Sequence, residues 1–453
     1  MDSEGSSSDI STERTLEKTV REGESRLPML VLASECVTFI KRGACYVPEK
    51  EWKLKNSLLA TVGFLELGNA GDFAANVWNE IPAPSYAVGL MVIGGTLALS
   101  LSYFAFRDAK LSWSNLLLLR QERHDLRKQK LHSVENGQIV WGLDTRLDVS
   151  FREMGTELIS RFGMDILMGF GAVIIGIGTF MAIGGANHHV WYASNLLSGY
   201  IGNVPLALYA IINATWSLYI WMKVRQHGIA GAKALHGNMA AALKHRVRTV
   251  QLYTSINGLT GIVAGAGSLI TATMWWGYVI LIPVIISSIS CNYIWRHKIA
   301  YERPLLRRTL EVSKVSLLRE LEFIVSVRQT LEEIPSESLR ALITDSQSIT
   351  SVIEFIVAND LFEDFCVRLL CDARLSELCG LPNEDLTINS QNLLTVDEAH
   401  IPRVLDIAQT CVNETGRMQF QYRERYLLEV LGCYLCVSQA GNFKTTLDVQ
   451  LEG

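Results

Sequence analysis

Four polar side chains stand at helical spacing inside an otherwise apolar stretch, LELGNAGDFAANVW: Glu66, Asn69, Asp72 and Asn76. At 100° per residue they project within an arc of roughly 120°, on one face of a helix. A carboxylate at the centre of a bilayer costs at least ~2.5–3.5 kcal/mol, so acids at that depth face a cavity or a partner. Desolvation favours the neutral carboxyl, the state that a general acid needs. Glu66 and Asp72 are therefore candidate catalytic proton donors. Asn69 and Asn76 are placed to orient them or to hydrogen-bond a substrate. The structural alternative is an acid held by Asn, Ser or Tyr of another helix, locking a bundle together.

A second set lies further along. Tyr209, Asn213 and Trp216 share one helical face, with Asn203 toward its edge, and Pro205 can open the backbone ladder. A face of π-systems opposite an acid suits a site that handles a cation; it is also a common way to fill a helical core. Trp275, Trp276, Tyr278 and Trp295 fall at a turn or a helix end and read as interface anchors.

The elements that must carry these residues are membrane helices. Charged residues make up 19 % of the 453-residue chain, against about a quarter in soluble domains. The shortage is concentrated: no Asp, Glu, Lys or Arg occurs in the 26 residues from Ile81 to Phe106, the 57 from Ile166 to Met222, or the 47 from Thr249 to Trp295. A spanning helix needs about 20 apolar residues, so each of the two longer runs holds two spans and a turn. Six spans result: Asn56 to Trp78, Ser85 to Phe106, Gly163 to Gly184, Ser194 to Met222, Thr249 to Thr273, and Gly277 to Trp295. Ten Lys or Arg between Arg107 and Arg161 and six between Lys223 and Arg248 put those connections in the cytosol. Both termini follow them there. Gly94-Gly95, Gly176-Ile177-Gly178 and Gly261 to Gly265 mark close helix packing.

The expected fold is all-α: a polytopic six-helix membrane bundle, residues 56–296, with cytosolic loops 107–162 and 223–248. Residues 1–27 form an acidic disordered tail with no signal-peptide pattern, so span one serves as the insertion anchor, and the endoplasmic reticulum or a membrane derived from it is the default location. Residues 28–55 form an interfacial or cytosolic segment, whose apolar run Leu27 to Ile40 reads as a surface helix. Residues 297–453 form a cytosolic helical domain. There Arg303 to Glu333 carries an apolar stripe from Leu306 to Leu331 that makes a helix, interrupted at Ser313 and stopped by Pro335.

Soluble-enzyme motifs are absent: no phosphate loop, HExxH or GxSxG occurs, and nothing calls for a metal, another cofactor or nucleic acid. Cys433-Tyr434-Leu435-Cys436 is a lone CxxC without a second pair or a neighbouring His in sequence, and reads as buried thiols on one helix. His227, His236 and His245, nine residues apart, read as surface histidines. Asp165 reads as a helix-end partner of Arg161.

The acidic first span and the following SWSNLLLLRQERHDLRK resemble fungal integral-membrane proteins found with secondary-metabolite genes, over about residues 50 to 300. Some of these are membrane-bound terpene cyclases of meroterpenoid pathways. The resemblance implies an enzyme that closes a farnesyl-type chain on a lipophilic prenylated small molecule taken from within the bilayer. Glu66 or Asp72 would protonate an epoxide or olefin, and Tyr209, Trp216 and Tyr200 would steady the migrating charge. Asn69, Asn76 and Asn213 would line the substrate site. The chain departs from the small cyclases of that kind, which have seven spans and an acid near each end of the bundle. It has six spans, a long cytosolic tail and no comparable acid in spans four to six. Two other classes remain open: a proton- or ion-coupled transporter or channel using the same acids, and a membrane scaffold acting through its cytosolic domain.

Overall fold

The computed structural model of the chain describes residues 35–42, 45–49, 53–78, 83–138, 140–304, 312–334, 338–372 and 386–452, with side chains as far as residue 440. The expected acidic tail, residues 1–27, lies outside them. The chain divides into two compact units. One combines residues 1–51 with 336–415, the other 52–335 with 416–453. In this division residues 416–453, expected in the C-terminal domain, group with residues 52–335.

The larger unit is a helical bundle. Strand β3 (Lys53–Lys55) leads into a chain of short helices over Ala60–Val77: a 3₁₀ turn Ala60–Phe64, α1 (Leu65–Asn69), a 3₁₀ turn Ala70–Asp72, and α2 (Phe73–Val77). Then come α3 (Ser85–Glu135), α4 (Trp141–Gly155), a π turn Thr156–Gly163, and α5 (Met164–Ile183). Next are α6 (His188–Asn195), a π turn Leu196–Ile201, α7 (Asn203–Ala234) and α8 (Gly237–Thr271). Helix α9 (Gly277–Ile294), a π turn Trp295–Ile299 and β4 (Glu302–Pro304) follow. Helices α10 (Lys314–Glu333) and α15 (Arg417–Glu452) complete the unit.

Four helical stretches are long and apolar enough to cross a membrane: Ser85–Glu135, Trp141–Ile183, His188–Ala234 and Gly277–Ile299. Their surfaces are inverted relative to a soluble bundle. Ile93, Tyr103, Phe170, Ile211, Leu218, Ile282 and Ile286 point outward, while Gly95, Ser102, Thr179, Ser198, Asn213 and Ser217 are buried. Small and polar residues between helices with apolar residues outside is the pattern that lipid selects. Residues 107–135, expected in a cytosolic loop, continue the apolar part of α3 in a single helix of 51 residues.

The expected first span is not one helix. It is broken at Ala60–Phe64 and Ala70–Asp72. The non-helical residues just before the first of these breaks leave backbone carbonyls that side chains from later elements take up. Asn292 donates to the Leu59 carbonyl at 3.2 Å, Trp295 Nε1 to that of Asn56 at 3.1 Å, and Asn115 and Arg161 to that of Lys55 at 2.7 and 2.9 Å. Irregular backbone inside a membrane bundle persists where protein satisfies it in this way. Trp295 is thus a buried donor and not an interface anchor.

At Gly71 and Gly94 the broken segment and α3 touch backbone to backbone. A Cβ on Gly94 would lie 2.0 Å from the Gly71 carbonyl oxygen. Gly94→Ala is accordingly expected to cost about 1–3 kcal/mol by overpacking, read as a lower thermal midpoint in detergent; an unchanged midpoint would contradict the contact.

The end of the bundle beyond the apolar runs is tied by charge. Strand β4 pairs with β3, setting Arg303 opposite Leu54. The Arg303 guanidinium reaches Glu153 at 2.6 and 2.8 Å and Glu122 at 2.7 and 2.9 Å, while Tyr301 donates to Glu153 at 2.9 Å. The expected helix over residues 303–333 is therefore a strand at its start, and its helical part begins at Lys314. Ser313 caps that helix through the Ser316 amide instead of interrupting it. Leu306, Leu310 and Pro335 lie outside the described residues.

Two other expectations change in this region. His227 is buried, and its Nε2 lies 3.5 Å from Cys433 Sγ, so the CxxC has a histidine neighbour through space. Burial pushes the Cys433 thiol up. Burial first, then Arg152 and Lys223, pushes the imidazole down to about 3. The unfolded chain takes up this proton near the ordinary 6.5 and the folded chain does not, so stability falls as pH drops from about 6.5 toward 3. The thermal midpoint should decline across that window in the wild type and less steeply in His227→Gln.

The smaller unit holds an antiparallel sheet of order β2-β1-β5, from β1 (Cys36–Arg42), β2 (Cys45–Pro48) and β5 (Leu386–Asn389). Residues 36–40, expected on a surface helix, are in β1, where Val37 and Phe39 pair with Ile388 and Leu386; residues 27–34 lie outside the described part. Helices α11 (Ser338–Leu342), α12 (Ile349–Ala358), α13 (Phe362–Cys371) and α14 (Ile401–Cys411) supply the core through Ile353, Ile356, Phe362, Phe365, Ala408 and Cys411.

Candidate functional site

Asp72 sits at the junction of the second 3₁₀ turn and α2, where the helix break turns its carboxyl toward the start of α9. Tyr278 Oη donates to Oδ1 at 2.9 Å. Asn76 Nδ2 donates to Oδ2 at 2.8 Å and to Tyr278 Oη at 2.7 Å. Phe73 packs edge-on against the Tyr278 ring at 5.0 Å. Asp72 is only 1 % exposed, and both oxygens are occupied. The arrangement is the structural lock that the sequence left open: an acid of one segment held by a tyrosine of another. Tyr278, expected to be an interface anchor, is buried. Removing its hydroxyl in Tyr278→Phe leaves Oδ1 without that donor and should cost about 1–3 kcal/mol, measured as a lower unfolding midpoint with expression matched.

Glu66 is different. It lies on α1, half-buried, between Phe64 and Leu67, which are 40 % and 38 % exposed. Behind it stands a buried apolar cluster of Val62, Leu65, Leu101, Ala105, Met168 and Tyr209. Tyr209 lies within electrostatic reach of Glu66. The Asn69 amide faces the Glu66 carboxyl, yet neither its nitrogen nor its oxygen has a well-formed hydrogen bond, although the residue is buried. An unpaired buried amide is costly and gains from any polar group brought to it.

The remaining candidates separate. Asn213 is paired with Asn257 of α8: Asn257 Nδ2 donates to Asn213 Oδ1 at 3.2 Å. Trp216, two turns beyond Tyr209, stacks on Tyr219 with centroids 5.0 Å apart. It lies so close to Gly155 that a Cβ there would be 2.2 Å from the ring. Tyr200 is 45 % exposed on the π turn before α7. The eight candidates thus fall into a closed group (Asp72, Asn76), a partly open one (Glu66, Asn69, Tyr209), a polar pair further along α7 (Asn213, Trp216) and an exposed Tyr200.

A buried cluster went unrecognised in the sequence. Arg161 donates to both Glu157 oxygens at 3.0 and 3.1 Å and to Asp108 Oδ1 at 3.0 Å. Ser112 and Asn115 also donate to Glu157, at 3.0 and 3.3 Å. Asp165 faces Asp108 and is fully buried, and its oxygens accept no hydrogen bond. The expected Arg161–Asp165 pair is therefore replaced by Arg161 with Asp108 and Glu157. The signal was present: Glu157, Arg161 and Asp165 recur every four residues, one helical face. Among the described residues no group of three or more His, Cys, Asp or Glu side chains is placed to hold a metal ion.

Compared with known proteins, the chain matches no protein-family model, no curated protein and no solved structure.

Proposed function

We propose that the chain is a membrane-embedded enzyme of the terpene-cyclase type, with Glu66 as the proton donor to the prenyl chain of a lipophilic substrate. The observation that carries this reading is the contrast between the two acids. Asp72 is sealed by Tyr278 and Asn76, whereas Glu66 is half-buried beside the outward-facing Phe64 and Leu67, where a molecule dissolved in lipid would meet it.

The topology belongs to the same proposal. Segment Ala60–Val77 has eight residues in 3₁₀ turns and ten in α-helix, a length of about 30 Å that matches the hydrocarbon core. Helix α8 has no charged residue after Arg248 and turns Leu259, Ile262 and Leu269 outward. With the four apolar stretches these make six crossings, with the basic connections, both termini and the smaller unit on the cytosolic side of an endoplasmic-reticulum-type membrane.

In the reaction, Glu66 transfers its proton to the epoxide oxygen and the C–O bond opens to leave a hydroxyl and a carbocation. An olefin of the same chain supplies the electron pair for the ring bond, and loss of a proton from the final cation ends the sequence. Tyr209, behind Glu66, offers its ring to the cation, and Asn69 offers its unpaired amide to the oxygen. Microsomes containing the protein should convert an epoxidised farnesyl-phenol to a cyclised isomer. No isomer, with expression confirmed, would end the enzyme reading.

A second reading, a proton-coupled transporter, is favoured by one observation: three buried carboxyls, Asp108, Glu157 and Asp165, around the single guanidinium of Arg161. It predicts proton flux in liposomes that Asp165→Asn abolishes, and no cyclised product.

A further inference from the structure

A cavity of about 30 Å³ lies where the α4 end and its π turn meet α7, α8 and the π turn after α9. Two buried polar atoms without hydrogen-bond partners belong to residues that line it: Trp216 Nε1, a donor, and Asn56 Oδ1, an acceptor. Trp216 is 9 % exposed and Asn56 4 %. They lie 160 residues apart in the sequence. The rest of the lining mixes polar groups with the apolar side chains of Ile220, Val250 and Ile299. Ser217 and Asn257 are joined at 3.4 Å, and Thr156, Ser160, Tyr253 and Thr254 add hydroxyls. Glu153 on the lining is already held by Arg303 and Tyr301. Arg152 and Arg246 share Glu429, and Arg246 also donates to the Lys298 and Ile299 carbonyls at 3.0 and 2.9 Å, so each charged group of the walls already has a partner.

A water molecule needs about 10–15 Å³ of such space and two to four polar partners, so the volume suits two. A prenyl chain is far larger. We propose that this cavity is a hydration site in which two ordered waters bridge the Trp216 indole N–H to the Asn56 amide oxygen. The bridge satisfies both groups at once and joins the segment before α1 to α7. It also makes α7 wet at Trp216, apart from the apolar surroundings of Glu66 and Tyr209.

The test is a double-mutant cycle on the full chain in detergent, with a high-resolution structure beside it. Trp216→Phe and Asn56→Leu are each expected to lower the thermal midpoint, by about 2–4 °C. The double variant should fall little further than the worse single one, because both substitutions break one water bridge. The structure should show two waters within hydrogen-bond distance of the pair. Additive losses, or a dry cavity in the wild type, would overturn the proposal. If the single variants fail to fold, the wild-type structure alone decides.

Discussion

Replacing Arg303 by alanine is expected to destabilise the bundle by about 3–5 kcal/mol, the cost of breaking a buried ion pair on one side. Arg303 is 5 % exposed and holds two carboxylates that are themselves buried, Glu122 and Glu153. Burial works against its charge; Glu153, with Tyr426 and Glu122, overcomes it and sets the guanidinium well above its usual pKa. The Tyr426 ring of α15 lies 5.2 Å from the guanidinium and covers its face. Alanine would take the shared guanidinium from both acids in a dry site, leaving Tyr301 donating to Glu153 and Arg146 within electrostatic reach of Glu122. Because the penalty comes from the stranded acids, the triple variant Arg303→Met, Glu122→Leu, Glu153→Leu should recover much of the loss. The midpoint of thermal unfolding in detergent reads both. A wild-type midpoint in Arg303→Ala would mean that this ion-pair cluster does not hold the strand pair.

The second large effect concerns activity. Under the proposed function, Glu66→Gln removes the proton and keeps the shape, and turnover should drop by about 10²–10⁴-fold, the usual contribution of a general acid, with KM little changed. Asp72→Asn should behave otherwise. Its carboxyl is a hydrogen-bond acceptor for Tyr278 and Asn76, so the variant should lose folded protein while each folded molecule keeps its turnover. Equal turnover losses per folded molecule in both variants would return Asp72 to the role of proton donor.

The helices were legible in the sequence because lipid imposes a coarse rule: long runs without charge must be helical and must face outward with apolar residues. The helix starting at Ser85 and those ending near Ala234 and Ile299 follow it. The break at Ala70–Asp72 was not legible. There Asp72 meets Tyr278, which arrives more than 200 residues later, and Asn292 and Trp295, as distant in sequence, take up the Leu59 and Asn56 carbonyls ahead of the first turn. The same distance hid His227 beside Cys433 and Leu386 beside Phe39. Within the candidate site, helical periodicity put Glu66, Asn69, Asp72 and Asn76 on one face. The 3₁₀ turn redistributed them into an open pair and a closed one. Trp216 and Asn213 share the face of Tyr209, as α7 is regular there, but they meet a small cavity and an Asn of α8 instead of the acids.

The account rests on Glu66 standing at a surface that meets lipid and not water. A single cysteine at position 66, in an otherwise cysteine-free chain in sealed microsomes, tests this directly. The account predicts modification by a lipophilic maleimide and protection from a charged sulfonate reagent, before and after the membrane is permeabilised. Rapid labelling by the charged reagent would place the residue in water and contradict it.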